Sequence, residues 1–320
     1  ANTKAYPERG WCFAESAMSG LVKNSNKVLD LAQLGGDRLS TVIFCSRAGR
    51  APPLLPADFE AELDKKTFAS KGTDFDKVSK LYAEAFARHI RGATELDYSG
   101  LGWDAEAARR FAQVLGHVET LQLLRLDENN IGNAGAAVLG DALKSNATLQ
   151  LLDLGSNGIG HQGAAALGAA LRDNRVLQSL SLWSNNIGDE GAAALGEALK
   201  CNEALRSLNL QVNAIRMEGA AALSKALKAN AALESLDLAW NKIGAEGASA
   251  LGDALSNNDT LRALCLESNR IGPEGASGLA QGLVSNVALR SLNLFNNGIG
   301  DTGALALGLA LKGNTVLQSL

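Results

Sequence analysis

Cysteine, proline and aromatic residues are scarce in this 320-residue chain; it holds four cysteines and five prolines, and aromatics make up 5% of it. Cys12, Cys45, Cys201 and Cys265 lie far apart with no C-x-x-C pair, which argues against a zinc site or a disulfide framework and predicts a reducing compartment. Basic charge is not in excess either. A formal net charge of -4 and a pI near 5.5 disfavour a protein built to neutralise nucleic-acid phosphates or coat an anionic membrane. The longest apolar runs, such as GAAALGAAL at 163 to 171, are rich in Gly and Ala and recur with a period, so they do not read as membrane spans. No targeting signal, P-loop or dinucleotide fingerprint is visible, because the many G-x-x-G spacings do not follow strands in the required way. His89, His117 and His161 show no ligand spacing. These absences predict no metal, no cofactor, no nucleic-acid partner and no membrane insertion, and they leave proteins as the expected partners.

What the chain has in abundance is hydrophobic residues, at 46%, and among them leucine at a fixed period. Leu121, Leu149, Leu177, Leu205, Leu233, Leu261, Leu289 and Leu317 are spaced by 28 residues without a slip. Behind each of the first seven runs the pattern LxxLxLxxNxIGxxGAxxLGxALxxN, with turn asparagines at Asn129, Asn157, Asn185, Asn213, Asn241, Asn269 and Asn297. Alternating Leu-x-Leu predicts a short strand, and Leu and Ala at helical spacing predict an amphipathic helix after it. Glu190, Glu218, Glu246 and Glu274 mark helix starts, with Pro273 beside the last; Lys144, Arg172, Lys200, Lys228 and Lys312 mark helix ends. That charge order suits the helix dipole.

Strands of successive repeats must lie parallel, each helix making the return crossover. Parallel strands stack about 4.8 Å apart, whereas helices need about 10 Å, so the stack must curve with strands inside and helices outside. Each turn Asn can bond backbone groups of its own and the neighbouring loop, and Asn213→Ala is expected to cost about 1 to 3 kcal/mol.

The 28-residue motif resembles the leucine-rich repeats of ribonuclease inhibitor and of the repeat domains of NOD-like receptors. The resemblance implies an α/β leucine-rich-repeat solenoid, a horseshoe with an inner parallel sheet and outer helices. We expect seven complete repeats and a truncated eighth over 121–320, an irregular capping repeat over 94–120, and a small α/β or mainly helical region over 1–93. In the capping repeat, Leu96 reads as the strand leucine, Leu101-Gly102 as the Ile-Gly pair and Ser99 as the turn Asn. The last strand stops at Leu320 without a polar cap, so the natural protein is expected to continue or a partner to cover that end.

In the N-terminal region, helices are expected at about 8–24, 57–66 and 74–91, a buried strand at 39–46, and a loop at SRAGRAPPLLP. The string YPERGWCFAE, Tyr6 to Glu15, is similar to the W-C-x-x-E helix of TIR-like domains, which implies Glu15 as the catalytic group of NAD cleavage. It departs from that family at Ser16, and the glycine-rich segments that hold the nucleotide upstream there have no counterpart here. The residues alone support a plainer role, with Trp11 and Phe13 anchoring a helix and Glu15 solvated or paired, so no enzyme is expected. RGWC with PPLLPADF and LYAEAF also resembles the region before such repeats in uncharacterised proteins of dinoflagellates and related algae.

The surface offered for binding is the inner face, at the third, fifth, seventh and eighth positions after each leading leucine. Trp183, Trp240 and Phe295 fall there in every second repeat, about 10 Å apart by the strand spacing, and large aromatics make good anchors. Asp127, Glu128, Asp153, Asp237 and Glu267 surround them, with Gln211 between, and outnumber Arg125 and the more peripheral Lys242 and Arg270. An acidic face with aromatic anchors predicts a basic protein partner or a neighbouring subunit. The expected function is a protein-interaction scaffold or structural subunit; the alternatives are the sensing arm of a multidomain NOD-like or TIR-like receptor and a fragment of a TIR-like NAD-cleaving enzyme.

Overall fold

A computed structural model of the chain describes Gly10, Phe13, Ala14, Ala17, Met18 and residues 51–66 and 71–320. The expected strand at 39–46, together with Trp11, Cys12, Glu15 and Cys45, lies outside the described residues. Gly10, Phe13, Ala14, Ala17 and Met18 are helical, as expected. Residues 51–55 form a loop, followed by α1 (Pro56–Asp64), with Pro56 in the first turn, where the missing N–H costs nothing. Next comes α2 (Lys71–Phe86), which widens into a π turn over Ala87–Arg91. Phe13, Phe59 and Tyr82 stack face to face at 5.4 and 3.8 Å between centroids. Tyr82 also clasps the loop, its hydroxyl donating to Leu54 O and accepting from Leu54 N, each at 2.9 Å. Burial pushes that phenol well above its ordinary range, so it stays a donor.

From residue 95 onward strand and helix alternate. The strands are β1 (Glu95–Asp97), β2 (Leu123–Arg125), β3 (Leu151–Asp153), β4 (Ser179–Ser181), β5 (Ser207–Asn209), β6 (Ser235–Asp237), β7 (Ala263–Cys265) and β8 (Ser291–Asn293). The helices between and after them are α3 (Ala105–Leu115), α4 (Gly132–Ser145), α5 (His161–Asp173), α6 (Gly188–Leu199), α7 (Met217–Ala229), α8 (Gly244–Leu255), α9 (Gly272–Ser285) and α10 (Gly300–Leu311). All eight strands form one parallel sheet in chain order, paired at an offset of 28 residues throughout. Ser319 extends it by a single bridge to Ser291. The central leucine of every strand, from Leu96 to Leu292, faces the helices and is buried in a core continuous with that of the N-terminal helices.

The constant offset corrects the register expected for the capping repeat. Glu95 pairs with Leu123, so Leu101 falls at the position of Asn129 and Trp103 at that of Ile131, while Ser99 matches Asp127. The backbone agrees, because Asn129 Oδ1 accepts from Leu101 N and Trp103 N at 3.0 and 2.9 Å. The physical reason is that a turn Asn donates to a leucine carbonyl 31 residues earlier, and no strand among the described residues precedes β1 to offer one. Apolar Leu101 and Trp103, both buried, close the core instead.

A second asparagine column, at the end of each helix, is equally regular. Asn174, Asn202, Asn230, Asn258 and Asn286 are buried, and each carboxamide donates to a leucine carbonyl and an asparagine carbonyl of the preceding repeat. Each Oδ1 accepts the N–H of the residues two and three later, fixing the turn into the next strand. Both ends of the crossovers from β3 to β8 are thus held by asparagine side chains whose donors and acceptors are spent inside the fold.

Candidate protein-binding face

The 28-residue offset turns each repeat position into a straight column along the sheet. The fifth position carries Arg125, Asp153, Ser181, Asn209, Asp237, Cys265 and Asn293, and the seventh carries Asp127, Gly155, Trp183, Gln211, Ala239, Glu267 and Phe295. The eighth carries Glu128, Ser156, Ser184, Val212, Trp240, Ser268 and Asn296, every one with φ between 52° and 57°.

The aromatics are not equivalent. Trp183 is half-buried, its indole lying across Gly155 so closely that a Cβ there would fall 1.9 Å from Nε1. It packs sideways on the preceding repeat. Trp240 belongs to the next column, leans toward the following repeat and donates its indole N–H to Glu267 Oε1 at 3.2 Å. It remains 53% exposed, and Phe295, on the seventh-position column, is 72% exposed. Val212, beside Trp240 in the eighth column, is also exposed.

The acids divide in the same way. Asp153 and Asp237 accept the N–H of Gly155 and Ala239 at 2.9 Å, a turn contact that Asn209 and Asn293 make at the same position. Burial pushes the Asp153 carboxyl above its ordinary range; its turn N–H and the Ser181 hydroxyl oppose the shift, and the charge of Asp127 adds to it. Asp237 is raised by burial too, with Ala239 N–H and the Cys265 thiol opposing and Glu267 adding to the shift. Asp127 accepts from the Ser99 hydroxyl at 2.6 Å, and Glu267 takes a second bond from Asn293 Nδ2 at 3.2 Å. Glu128 is exposed, and Gln211, half-buried, sits beside Trp183 in the seventh column. Arg125 lies 3.7 Å from Glu95. Burial raises the Cys265 thiol above its usual range, which disfavours the nucleophilic thiolate.

A carboxyl with a higher pKa in the folded than in the unfolded state favours folding most at low pH, and loses that contribution as pH rises through the folded value. Asp153→Asn and Asp237→Asn keep the turn acceptor and remove the buried charge. We expect each to raise the thermal midpoint at pH 7 and to leave it unchanged at about pH 3, where the native carboxyl is protonated. A lower midpoint at pH 7 would show that the charge itself is needed.

On the helix side, Lys144 pairs with Asp141 at 2.8 Å, Lys200 with Glu197 at 2.6 Å, and Lys228 with Asp253. These three members of the basic column are locally neutralised, which weakens it as an anion stripe. No cluster of three or more His, Cys, Asp or Glu side chains among the described residues could hold a metal ion. Among the described residues, no helix is long and apolar enough to cross a membrane.

No curated protein matches the chain. Among solved structures it is similar to leiomodin-1 actin-binding site 2, at 25% identity and TM-score 0.39 over 47% of this chain and 89% of that one. It is also similar to the tropomodulin C-terminal domain of Caenorhabditis elegans, at 17% identity and TM-score 0.40 over 47% of this chain and 92% of that one. The leucine-rich-repeat family model matches residues 119–140, 145–168, 173–196, 201–224, 229–252, 257–280 and 285–308, together more than half of the chain. The chain belongs to the leucine-rich-repeat family.

Proposed function

We propose that the chain is a non-catalytic protein-binding scaffold, or a structural subunit of a larger assembly, that holds its partner on the strand side of the sheet. The observation that supports this most is the exposure of Trp240 and Phe295, 53% and 72%, on a sheet whose central strand leucines are all buried. Large aromatics left in water bury much area at small entropic cost when a partner covers them. Asp127, Glu128, Asp153, Asp237 and Glu267 give that face an acidic surround, with Gln211 between them, and the partner they fit is a basic protein. Trp183, packed on Gly155, contributes shape more than area.

The test is the affinity of the isolated partner for variants of the face. Trp240→Ala and Phe295→Ala together are expected to weaken binding at least about thirtyfold, the loss of one full hot spot. Trp183→Ala is expected to cost less than either. Unchanged affinity in the double variant would remove this face from the account.

A further inference from the structure

Trp240 also lines an open cleft of about 460 Å³ on the loop ridge of neighbouring repeats, together with Asn241, Lys242, Ser268, Arg270 and Asn296. Lys242 and Arg270 occupy the tenth position of adjacent repeats and line the same cleft. Both are exposed, and neither has an ion-pair partner among the described residues, in contrast to Lys144, Lys200 and Lys228. Two cations at one cleft without a counter-charge favour an anion there.

Trp240, Ser268 and Asn296 share the left-handed backbone of the whole eighth column, and Arg270 shares that of Gly158, Ala214 and Gly298 at the tenth position, so what distinguishes this part of the ridge is its side chains. The wall is held by Asn296 Nδ2 donating to Ser268 Oγ at 3.0 Å and by the Trp240 indole on Glu267. An aromatic wall, two free cations and polar rim groups thus converge on one opening.

We propose that this cleft receives a single acidic side chain of an extended protein segment lying over Trp240. A carboxylate there would reach Lys242 and Arg270 while its stem lies on the indole. Glu267, bonded to the Trp240 indole, and Asp237 repel a polyanion, so one isolated acid fits better than a nucleic-acid backbone. The bound segment therefore carries its acid on the ridge side of Trp240 and its basic residues on the sheet side. This deepens the binding reading and rests on it only through Trp240.

The experiment follows the indole N–H resonance of Trp240, assigned with Trp240→Phe, while the protein is titrated with a glycine-rich hexapeptide carrying one central glutamate, with the same peptide carrying glutamine, or with inorganic phosphate. The single-glutamate peptide is expected to shift that signal saturably, with affinity falling at least tenfold in Lys242→Gln/Arg270→Gln and further in the Glu/Glu pair. The same circular-dichroism midpoint in these variants would tie the loss to the cleft. No shift, or equal affinity in the variants or for the glutamine peptide, overturns the proposal. An equal response to phosphate overturns the peptide assignment and leaves a general anion site. A silent glutamate-peptide titration with a Trp240-dependent partner affinity would remove the cleft alone. Glutamate-peptide binding with no effect of Trp240→Ala and Phe295→Ala on the partner would remove the sheet face alone.

Discussion

Asn213→Ala is expected to lower the free energy of unfolding by about 1–3 kcal/mol, the cost of leaving buried backbone groups without partners. Asn213 is fully buried; its Nδ2 donates to Leu182 O at 2.8 Å and Gln211 O at 3.1 Å, and its Oδ1 accepts from Ile187 N at 3.3 Å. Removing the carboxamide leaves the buried helix-start N–H of Ile187 without its acceptor and takes from Leu182 O one of its two donors, the other being Asn185 Nδ2 at 3.0 Å. Asn213→Asp should do similar harm, because a carboxylate cannot donate to Leu182 O. Asn130→Ala, at an exposed position one residue after a turn Asn, is the control and should change stability by less than about 0.5 kcal/mol. Urea midpoints with constant slope read all three. A loss at Asn213 no larger than at Asn130 would contradict the assignment.

Gly252→Ala is expected to destabilise by about 1–3 kcal/mol through overpacking, whereas Gly308→Ala, at the same repeat position, should stabilise by about 0.5–1 kcal/mol. In α8 and α9 the facing residues Gly252, Gly278 and Gly282 let two backbones approach very closely. A Cβ on Gly252 would lie 2.2 Å from Gly278 O, and one on Gly282 would lie 2.0 Å from Gly252 O. Between α4 and α5 the corresponding distance, from Gly140 to Ala166 O, is 3.2 Å. Gly308 in α10 meets nothing within 4 Å, so there alanine only removes backbone freedom from the unfolded chain. Since solenoid stability is a sum of repeats and nearest-neighbour interfaces, Gly252→Ala should weaken hydrogen-exchange protection on both sides of the α8/α9 contact first. Equal effects of the two substitutions would show that the close approach is not real.

Why the repeats were legible is a matter of period. Leu124 and Leu152 recur because the strand's inward side must be apolar, and Asn157 and Asn185 recur because each turn presents the same unpaired groups. Two things escaped that logic. The capping repeat departs from the pattern where no strand among the described residues precedes it to give the pattern its reason, so Leu101 stands at an Asn position. The helix-end column, Asn174 and its equivalents, was present in the motif, yet its burial followed only from seeing carbonyls 28 and 31 residues earlier converge on it.

The candidate site was legible by column and illegible by conformation. Alternation placed Trp183 and Phe295 on the inner face, but it cannot show that Trp183 folds over Gly155 or that Trp240 has a left-handed backbone. Asp153 and Asp237 read as free acids, whereas Asn209 and Asn293 at the same position signal a turn acceptor. Lys242 and Arg270 read as peripheral because single-strand reasoning hides that a 28-residue spacing brings them to one cleft.

The most direct test of the strand-side binding face is site-specific photo-crosslinking with the protein in its native mixture. A benzophenone side chain replaces Phe295 on the sheet side in one sample and exposed Lys225 on α7 in another. The account predicts a discrete adduct of one partner, or of a neighbouring subunit, from position 295 and none from position 225. The same adduct from position 225 with none from position 295 would place the interface on the helices and contradict it.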